Sequence, residues 1–391
     1  MPADVRPYWK LSTPCIEQIC GGYRVVCEID GESVWFESDG AELAPSIEAF
    51  AGAMLIPALE AGAQLCLESP VDAAWLEGQK KLVAIYRNWW FPGSSVFPLS
   101  ESTTVMEESL PTTRRMVASC FTGGVDSFHT YLGNLDRIDA LYFVQGFDIP
   151  LDHHIRMQAF RRSMETLVAH NNKKLLILRT NLRGHHIFGK ADWRKTHGAA
   201  IAAGGLVLRD CIERLLIPSS YFYKVAQPWG SHRDTDKHYS TSRVKIEHYG
   251  EQYLRFQKTA AIARNADFLA HVRVCWENRA STGNCSCCEK CLRTMMTLEV
   301  LGVLSRSTAF ERGDLVKKLN NLPMIRPAGL AIPWSAIYAN CRSRVLREAI
   351  LNLIERSTGR RKLLLLRWRD DAVTNINNLC NGLLSQLGGN R

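Results

Sequence analysis

The sequence predicts an α/β protein: a parallel sheet with helices on both faces, preceded by an α+β segment and followed by a helical one. Three observations carry this. From Met116 onward, short apolar runs alternate with helical stretches, the order that βαβ units produce. One of those runs, Met116–Cys120, leads straight into paired glycines and a helix start. The chain has 391 residues, enough for two or three cores.

Residues 1–112 read as a separate α+β domain. Runs at 23–29 and 32–37 alternate and are rich in β-formers, and Asp30-Gly31 between them is a hairpin signal. A helix is expected over 46–61, a strand over 64–68, and an amphipathic helix over 73–90 with Trp75, Leu76, Leu82, Ile85 and Tyr86 inward. Ser, Thr and Pro then dominate 92–113, which reads as a linker. Cys15, Cys20, Cys27 and Cys66 are too scattered for a metal and read as structural.

The second segment, 113–302, holds strands at 116–120, 141–147, 174–179 and 215–218. Helices are expected over 127–132, 154–170 and 198–212, the last made of small residues suited to close packing on a sheet. A parallel sheet of this kind binds ligands at the C-terminal ends of its strands. From 303 to 391 the chain reads as mainly helical, most clearly at 345–354 and 372–387.

Composition narrows the class. Hydrophobic residues make up 46% and charged residues 22%, the balance of an ordinary globular protein. No apolar run is long enough to span a bilayer. Met1-Pro2-Ala3-Asp4 shows no basic region followed by an apolar core, so no secretory signal is expected. Thirteen cysteines then point to metal binding or chemistry in a reducing compartment, and a cytoplasmic location is the expectation. The net charge of +9 suits an anionic ligand and permits nucleic-acid contact, which is not favoured because the charge is spread. Its densest cluster, Arg360 to Arg369, reads as a basic helix packed through its leucines.

The run Phe121-Thr122-Gly123-Gly124-Val125-Asp126-Ser127 carries the chemistry. A strand, a glycine turn and a helix N-terminus converge free N–H groups and the helix dipole on one point, where phosphate binds. Gly123 and Gly124 let the backbone approach an anion, and Thr122 and Ser127 can add hydroxyl donors. No Gly-Lys-Ser/Thr is present, so the loop is not of the Walker type. The second signal is Cys275-x9-Cys285-x-Cys287-Cys288-x2-Cys291. Cys275, Cys285, Cys288 and Cys291 make a four-thiolate set that leaves Cys287 over. Four thiolates suit a tetrahedral zinc with no open position, hence a structural one; an iron–sulfur cluster uses the same ligands.

The loop resembles the Ser-Gly-Gly-x-Asp-Ser pyrophosphate-binding loop of the ATP pyrophosphatase (PP-loop) superfamily, with Thr122 in the place of the first serine. Loop and cysteine spacing together are similar to the 7-cyano-7-deazaguanine synthase-like proteins of that superfamily. Gln257 to Ile262 resembles the Lys-Ala-Glu-Ile stretch before their zinc knot, and Arg273-Val274-Cys275-Trp276 falls where their first zinc cysteine is found. The resemblance covers Met116 to Leu301. Residues 1–112, the long C-terminal part and Gly230 to Asp236 depart from that pattern.

The resemblance implies a Rossmann-like, adenine nucleotide alpha hydrolase-like fold and an ATP-dependent ligase that forms AMP and pyrophosphate. A carboxylate or amide-type oxygen of a small molecule, a deazapurine-like acid among the options, attacks the α-phosphorus of ATP. Ammonia or another nucleophile then displaces AMP. Gly123, Gly124, Val125, Asp126 and Ser127, with Thr122, would hold pyrophosphate. Asp126 would contact Mg2+ or orient the loop N–H groups, and Lys258 would neutralise phosphate charge with Arg255 one turn before it. Adenine would lie near Phe147 at the end of the second strand.

Asp148 reads equally as a ribose or metal contact and as a turn residue, and His197 as an ATP contact or a cap. His232, Asp234 and Asp236 read as an acceptor-facing or a solvent loop. His153-His154 and His185-His186 show no metal partners at useful spacing. Two alternatives stand beside the ligase: a tRNA sulfur-transfer enzyme, for which Cys120 or Cys211 would supply the thiol, and a non-catalytic ATP-binding scaffold. A homodimer, or a protein partner on 1–112, is compatible with either.

Overall fold

A computed structural model describes residues 7–94, 97–100, 102–107, 112–325 and 327–358. The expected helix at 372–387 and the basic cluster at 360–369 lie outside the described residues. Two compact units divide the chain: 1–122 with 130–251, and 123–129 with the residues from Gln252 onward. This is not the division at 112 and 302 that the sequence segments indicate.

The first unit is α/β, built on a large mixed sheet flanked by helices. Its N-terminal strands are β1 (Tyr8–Leu11), β2 (Cys15–Ile19), β3 (Gly22–Ile29) and β4 (Glu32–Ser38). The β3–β4 hairpin turns on Asp30 and Gly31 at φ 49° and 81°, the left-handed pair that matches strand twist. Helix α1 (Ile47–Ala61) is apolar on all sides and buried along nearly its whole length. It is followed by β5 (Gln64–Leu67), the two-residue β6 (Val71–Asp72) and α2 (Ala73–Trp89). Trp75, Leu82 and Tyr86 of α2 are fully buried, and Leu76 and Ile85 pack partly buried against the same core.

The expected linker is not a plain connection. Its β7 (Val105–Met106) pairs with β6, and the Leu65 N–H donates to the Pro98 carbonyl at 2.6 Å. Leu99, 2% exposed, enters the core. Cys15 and Cys20 are exposed, so packing does not account for them.

The parallel part follows as β8 (Met116–Cys120), α3 (Val125–Leu132), β9 (Ala140–Gln145), α4 (His154–His170), β10 (Lys174–Thr180), α5 (Trp193–Leu206), β11 (Ile212–Pro218) and β12 (Lys245–Tyr249). The sheet runs β12-β11-β8-β9-β10-β4-β3-β1-β5, with β2 paired to β3. From β12 to β10 every pairing is parallel. β9 is buried at every position, as a strand covered on both faces must be. β10 then pairs antiparallel with β4 through Thr180 and Phe36, which joins the N-terminal strands to the same sheet. Helix α5 starts earlier than its small residues alone indicate, because Asp192 caps it by accepting from the Arg194 N–H at 2.9 Å, and it ends at Leu206.

The second unit is helical. It comprises α6 (Arg255–Ile262), α7 (Ala266–His271), α8 (Glu289–Val300), α9 (Leu315–Asn320), α10 (Pro327–Asn340) and α11 (Arg344–Thr358), with the first turn of α3. Leu292, Met295 and Leu298 of α8 are buried, and Phe128 meets Phe268 edge to face at 5.3 Å. Among the described residues, no helix is long and apolar enough to cross a membrane.

Candidate functional site

Two clusters in the second unit coincide with the sequence signals. The first is the glycine loop. Gly123 has φ +78°, and a Cβ there would come within 3.2 Å of the Arg273 Cβ. Its carbonyl accepts from the Arg273 N–H at 2.7 Å, which pins the turn. Only glycine meets both demands without strain. Helix α3 then starts at Val125, so its first N–H groups have no partner within the helix. The Ser127 hydroxyl donates to the Gly124 carbonyl at 2.9 Å, which orders the loop and uses the proton expected for phosphate. Thr122 and Gly124 are half-buried, and Val125 is 1% exposed.

Asp126, Arg255 and Lys258 come together at the start of α3. Arg255 donates to Asp126 Oδ2, and Lys258 Nζ lies 3.2 Å from Oδ1. Lys258 and Arg255 are one turn apart on α6, so one carboxylate reaches both. Lys258 is 2% exposed, as deeply buried as an apolar core residue. Burial pushes the Asp126 carboxyl up, but the charges of Arg255 and Lys258, with a contribution from Arg293, outweigh it and hold the group below its ordinary range. Both carboxylate oxygens are thus engaged by cations. That set does not fit a magnesium site; the Asp126 carboxylate instead aligns the α6 side chains Arg255 and Lys258.

The second cluster is the cysteine set. The sulfurs of Cys275, Cys285, Cys288 and Cys291 all lie within 4.8 Å of one another, and Cys287 is exposed outside the set. Cys285–Cys291 and Cys275–Cys288 each span 3.9 Å. A tetrahedron with metal–sulfur bonds of about 2.3 Å has edges of about 3.8 Å. The cluster fits a metal ion, with zinc among the compatible ones. Cys288 caps α8 and Cys291 lies in its first turn, so the helix start sets their spacing.

Asn284, which sequence reasoning missed, holds the distant ligand in place. Its Oδ1 accepts from the Val274 and Cys275 N–H groups at 2.9 and 3.1 Å. Its Nδ2 donates to the carbonyls of Val272 at 2.8 Å and Ala309 at 3.0 Å. Outer-shell bonds of this kind fix ligand geometry.

The remaining residues belong to the first unit. Phe147 is buried against Trp193 with ring centroids 5.2 Å apart, and its carbonyl already accepts from Arg183 at 2.8 Å. Asp148 is exposed. His197 lies in the first turns of α5, where its Nδ1 pairs with the Trp193 carbonyl at 3.0 Å and burial lowers its pKa.

The loop of His232, Asp234 and Asp236 divides by depth. Asp234 is exposed, whereas Asp236 is fully buried. The Asp236 carboxylate accepts from Ser231 Oγ and His248 Nδ1 at 2.7 Å each, and from the His232 N–H at 3.0 Å. A plain solvent loop is excluded for Asp236.

His185 and His186 do have an acidic neighbour. Glu32, at the start of β4, brings its carboxylate within 4.8 Å of both imidazoles. His185, however, donates from Nε2 to the Ile29 carbonyl at 3.0 Å and accepts at Nδ1 from the Ile187 N–H at 3.3 Å. With both nitrogens engaged, it ties the hairpin to the loop after β10. Cys120 is 9% exposed, and burial raises its thiol well above the ordinary value. Comparison with family models, with curated proteins and with solved structures gives no match for this chain.

Proposed function

We propose that this chain is a PP-loop ATP pyrophosphatase: an ATP-dependent ligase that adenylates an oxygen of a small-molecule acid or amide and releases pyrophosphate. The observation that carries the reading is the cluster of buried Lys258 with half-buried Asp126 and Arg255 at the glycine loop. One carboxylate there aligns two cations beside a glycine turn and a helix start, the equipment of an anion site. Support also comes from the parallel order of β10, β9, β8, β11 and β12. Numbered from β8, it reads 3-2-1-4-5, five of the six positions in the 3-2-1-4-5-6 order of a doubly wound sheet, and the loop follows β8 directly in the chain.

In this reading an acceptor oxygen attacks the α-phosphorus, the bond to the bridging α–β oxygen breaks, and pyrophosphate leaves with its charge facing Lys258, Arg255 and the loop amides. Ammonia or another nucleophile then displaces AMP. Catalysis of this kind comes from positioning and charge stabilisation. The four cysteines would hold zinc, whose closed tetrathiolate shell makes it structural. A sulfur-transfer variant gains nothing from Cys120, whose buried thiol stays protonated.

Product analysis with labelled ATP and a panel of carboxylic acids, deazapurine acids included, tests the reading. AMP and pyrophosphate are expected. ADP and phosphate, or no ATP consumption with any acceptor, would reject it.

A further inference from the structure

Cys287 is left outside the four-sulfur set, yet it does not stand alone. It is exposed, and its thiol is hydrogen-bonded to the sulfur of Cys285, a member of the set. Cys275, Cys288 and Cys291 are buried whereas Cys285 is half-buried, so Cys287 touches the ligand that lies nearest the surface. Ser286 between them has φ 56°, a left-handed conformation that a non-glycine residue keeps only where its surroundings hold it. They do: Ser286 is 1% exposed, and its Oγ accepts from the Glu311 N–H at 2.9 Å. The Cys288 N–H in turn donates to the Cys285 sulfur at 3.3 Å. An anchored turn therefore presents two sulfurs side by side, one at the surface and one within the metal-binding set.

An exposed thiol beside a second sulfur can be oxidised reversibly, because the first product, a sulfenic acid, condenses with its neighbour to a disulfide. Burial and the Cys285 sulfur push the Cys287 thiol up against the pull of Arg279, so its oxidation is slow and is selected by exposure. We propose that Cys287 is an oxidative modification site that resolves onto Cys285, forming a disulfide that takes one ligand out of the four-cysteine set. The Cys287 sulfur attacks one oxygen of hydrogen peroxide and the O–O bond breaks; the sulfur becomes a sulfenic acid and the peroxide is reduced to water. Cys285 then attacks that sulfur, the S–S bond forms, the S–O bond breaks, and hydroxide leaves. The two sulfurs together give up two electrons, which the peroxide takes. Three buried thiolates remain, and a site closed by four is left open on its outer side. The inference rests on reading Cys275, Cys285, Cys288 and Cys291 as a zinc site.

Hydrogen peroxide added to the full-length, zinc-loaded protein in the presence of a chromophoric chelator tests this, with peptide mass mapping of the cysteines before and after. Zinc release in step with a Cys285–Cys287 disulfide is expected, and a dithiol reductant with added zinc should restore both the thiols and the metal. Cys287→Ser, which keeps all four ligands, should hold its zinc through the same treatment. Release from Cys287→Ser at the wild-type rate, or a disulfide that joins other cysteines, overturns the inference while sparing the zinc set. Loss of zinc from Cys287→Ser before any oxidant is added also overturns it, because Cys287 would then be a ligand itself. Absence of zinc from the freshly purified wild-type protein overturns both the inference and the zinc reading.

Discussion

Lys258 Nζ and Asp126 Oδ1 lie 3.2 Å apart, although 132 positions separate them in the chain. The pair fastens α6 to the first turn of α3. Asp126 has a second cation in Arg255, so its removal takes away the carboxylate that the two cations share.

Asp126→Asn should therefore lower stability as well as abolish turnover. Breaking a largely buried pair by removing one partner costs about 3 kcal/mol, because the other charge stays desolvated. Urea denaturation should show that loss. Adding Lys258→Met should recover part of it, since a buried ammonium that has lost its carboxylate is gone. Equal stability of Asp126→Asn and wild type would show that the cluster is solvated.

His129 predicts an acid-side weakness. In the unfolded chain it titrates near its ordinary value of about 6.5, whereas in the fold burial and then the Lys258 charge hold it at about 4. Between these values the unfolded chain binds more protons. The contribution is complete above pH ~6.5 and falls away as pH drops toward 4, by up to about 3 kcal/mol. His185, His197 and His232, lowered chiefly by burial, slope the same way. The readout is thus the difference between wild type and His129→Leu, which should shrink the pH 7 to pH 4.5 change. Identical pH–stability curves would exclude the buried neutral imidazole.

Asp126 titrates in the opposite charge sense but loses its contribution in the same direction. Its folded pKa is depressed, so the cluster's stabilisation is present above its unfolded value of about 3.9 and disappears only as pH falls through the lower folded value. Chemical-shift titration of the Asp126 carboxyl carbon should show it ionised throughout pH 4–8. A midpoint above 4 would remove the ion cluster from the account.

The purified protein should contain zinc equimolar with chain, and Cys288→Ser or Cys291→Ser should lose it. Asn284→Ala should keep all four ligands yet bind metal about 10-fold more weakly, measured by competition with a chromophoric chelator. Unchanged affinity would mean that the Val274 and Cys275 N–H bonds do not position the ligand.

Gly123→Ala should cost about 1–3 kcal/mol through backbone strain, because its φ of +78° disfavours any Cβ and Arg273 crowds it. Pyrophosphate binding should weaken with it, as the turn that aims the α3 N–H groups is distorted. Wild-type stability and pyrophosphate affinity in this variant, by thermal melt and titration, would show the turn is tolerant.

What the sequence disclosed was local. The Asp30-Gly31 hairpin, the bounds of α4 and the four-cysteine set are written in short spacings whose chemistry is self-contained. Arg255 and Lys258 were legible through helical spacing, although their shared carboxylate was known only as a loop residue. Long-range pairing was not legible. Nothing in Phe36 or Thr180 announces that β4 will join β10, because backbone hydrogen bonds carry no residue label. β12 was missed because its charged and polar side chains alternate only briefly. The Glu32 and His248 partners were missed for the same reason as β4: proximity in space without proximity in the chain.

Asn284 and the cysteines around it also bear on how this part of the chain acquires its shape. Cys285, Cys288 and Cys291 are near neighbours in sequence, and Cys275 closes only a short loop back to them. Loops of about ten residues close in roughly 10–100 ns, far faster than a sheet of distant strands can pair. An ion captured here would organise the N-terminus of α8 early, and Asn284 would then recruit Val272 and Ala309 to the same point. Metal supply during synthesis would thereby set the yield of folded second unit, apart from any effect on the finished protein.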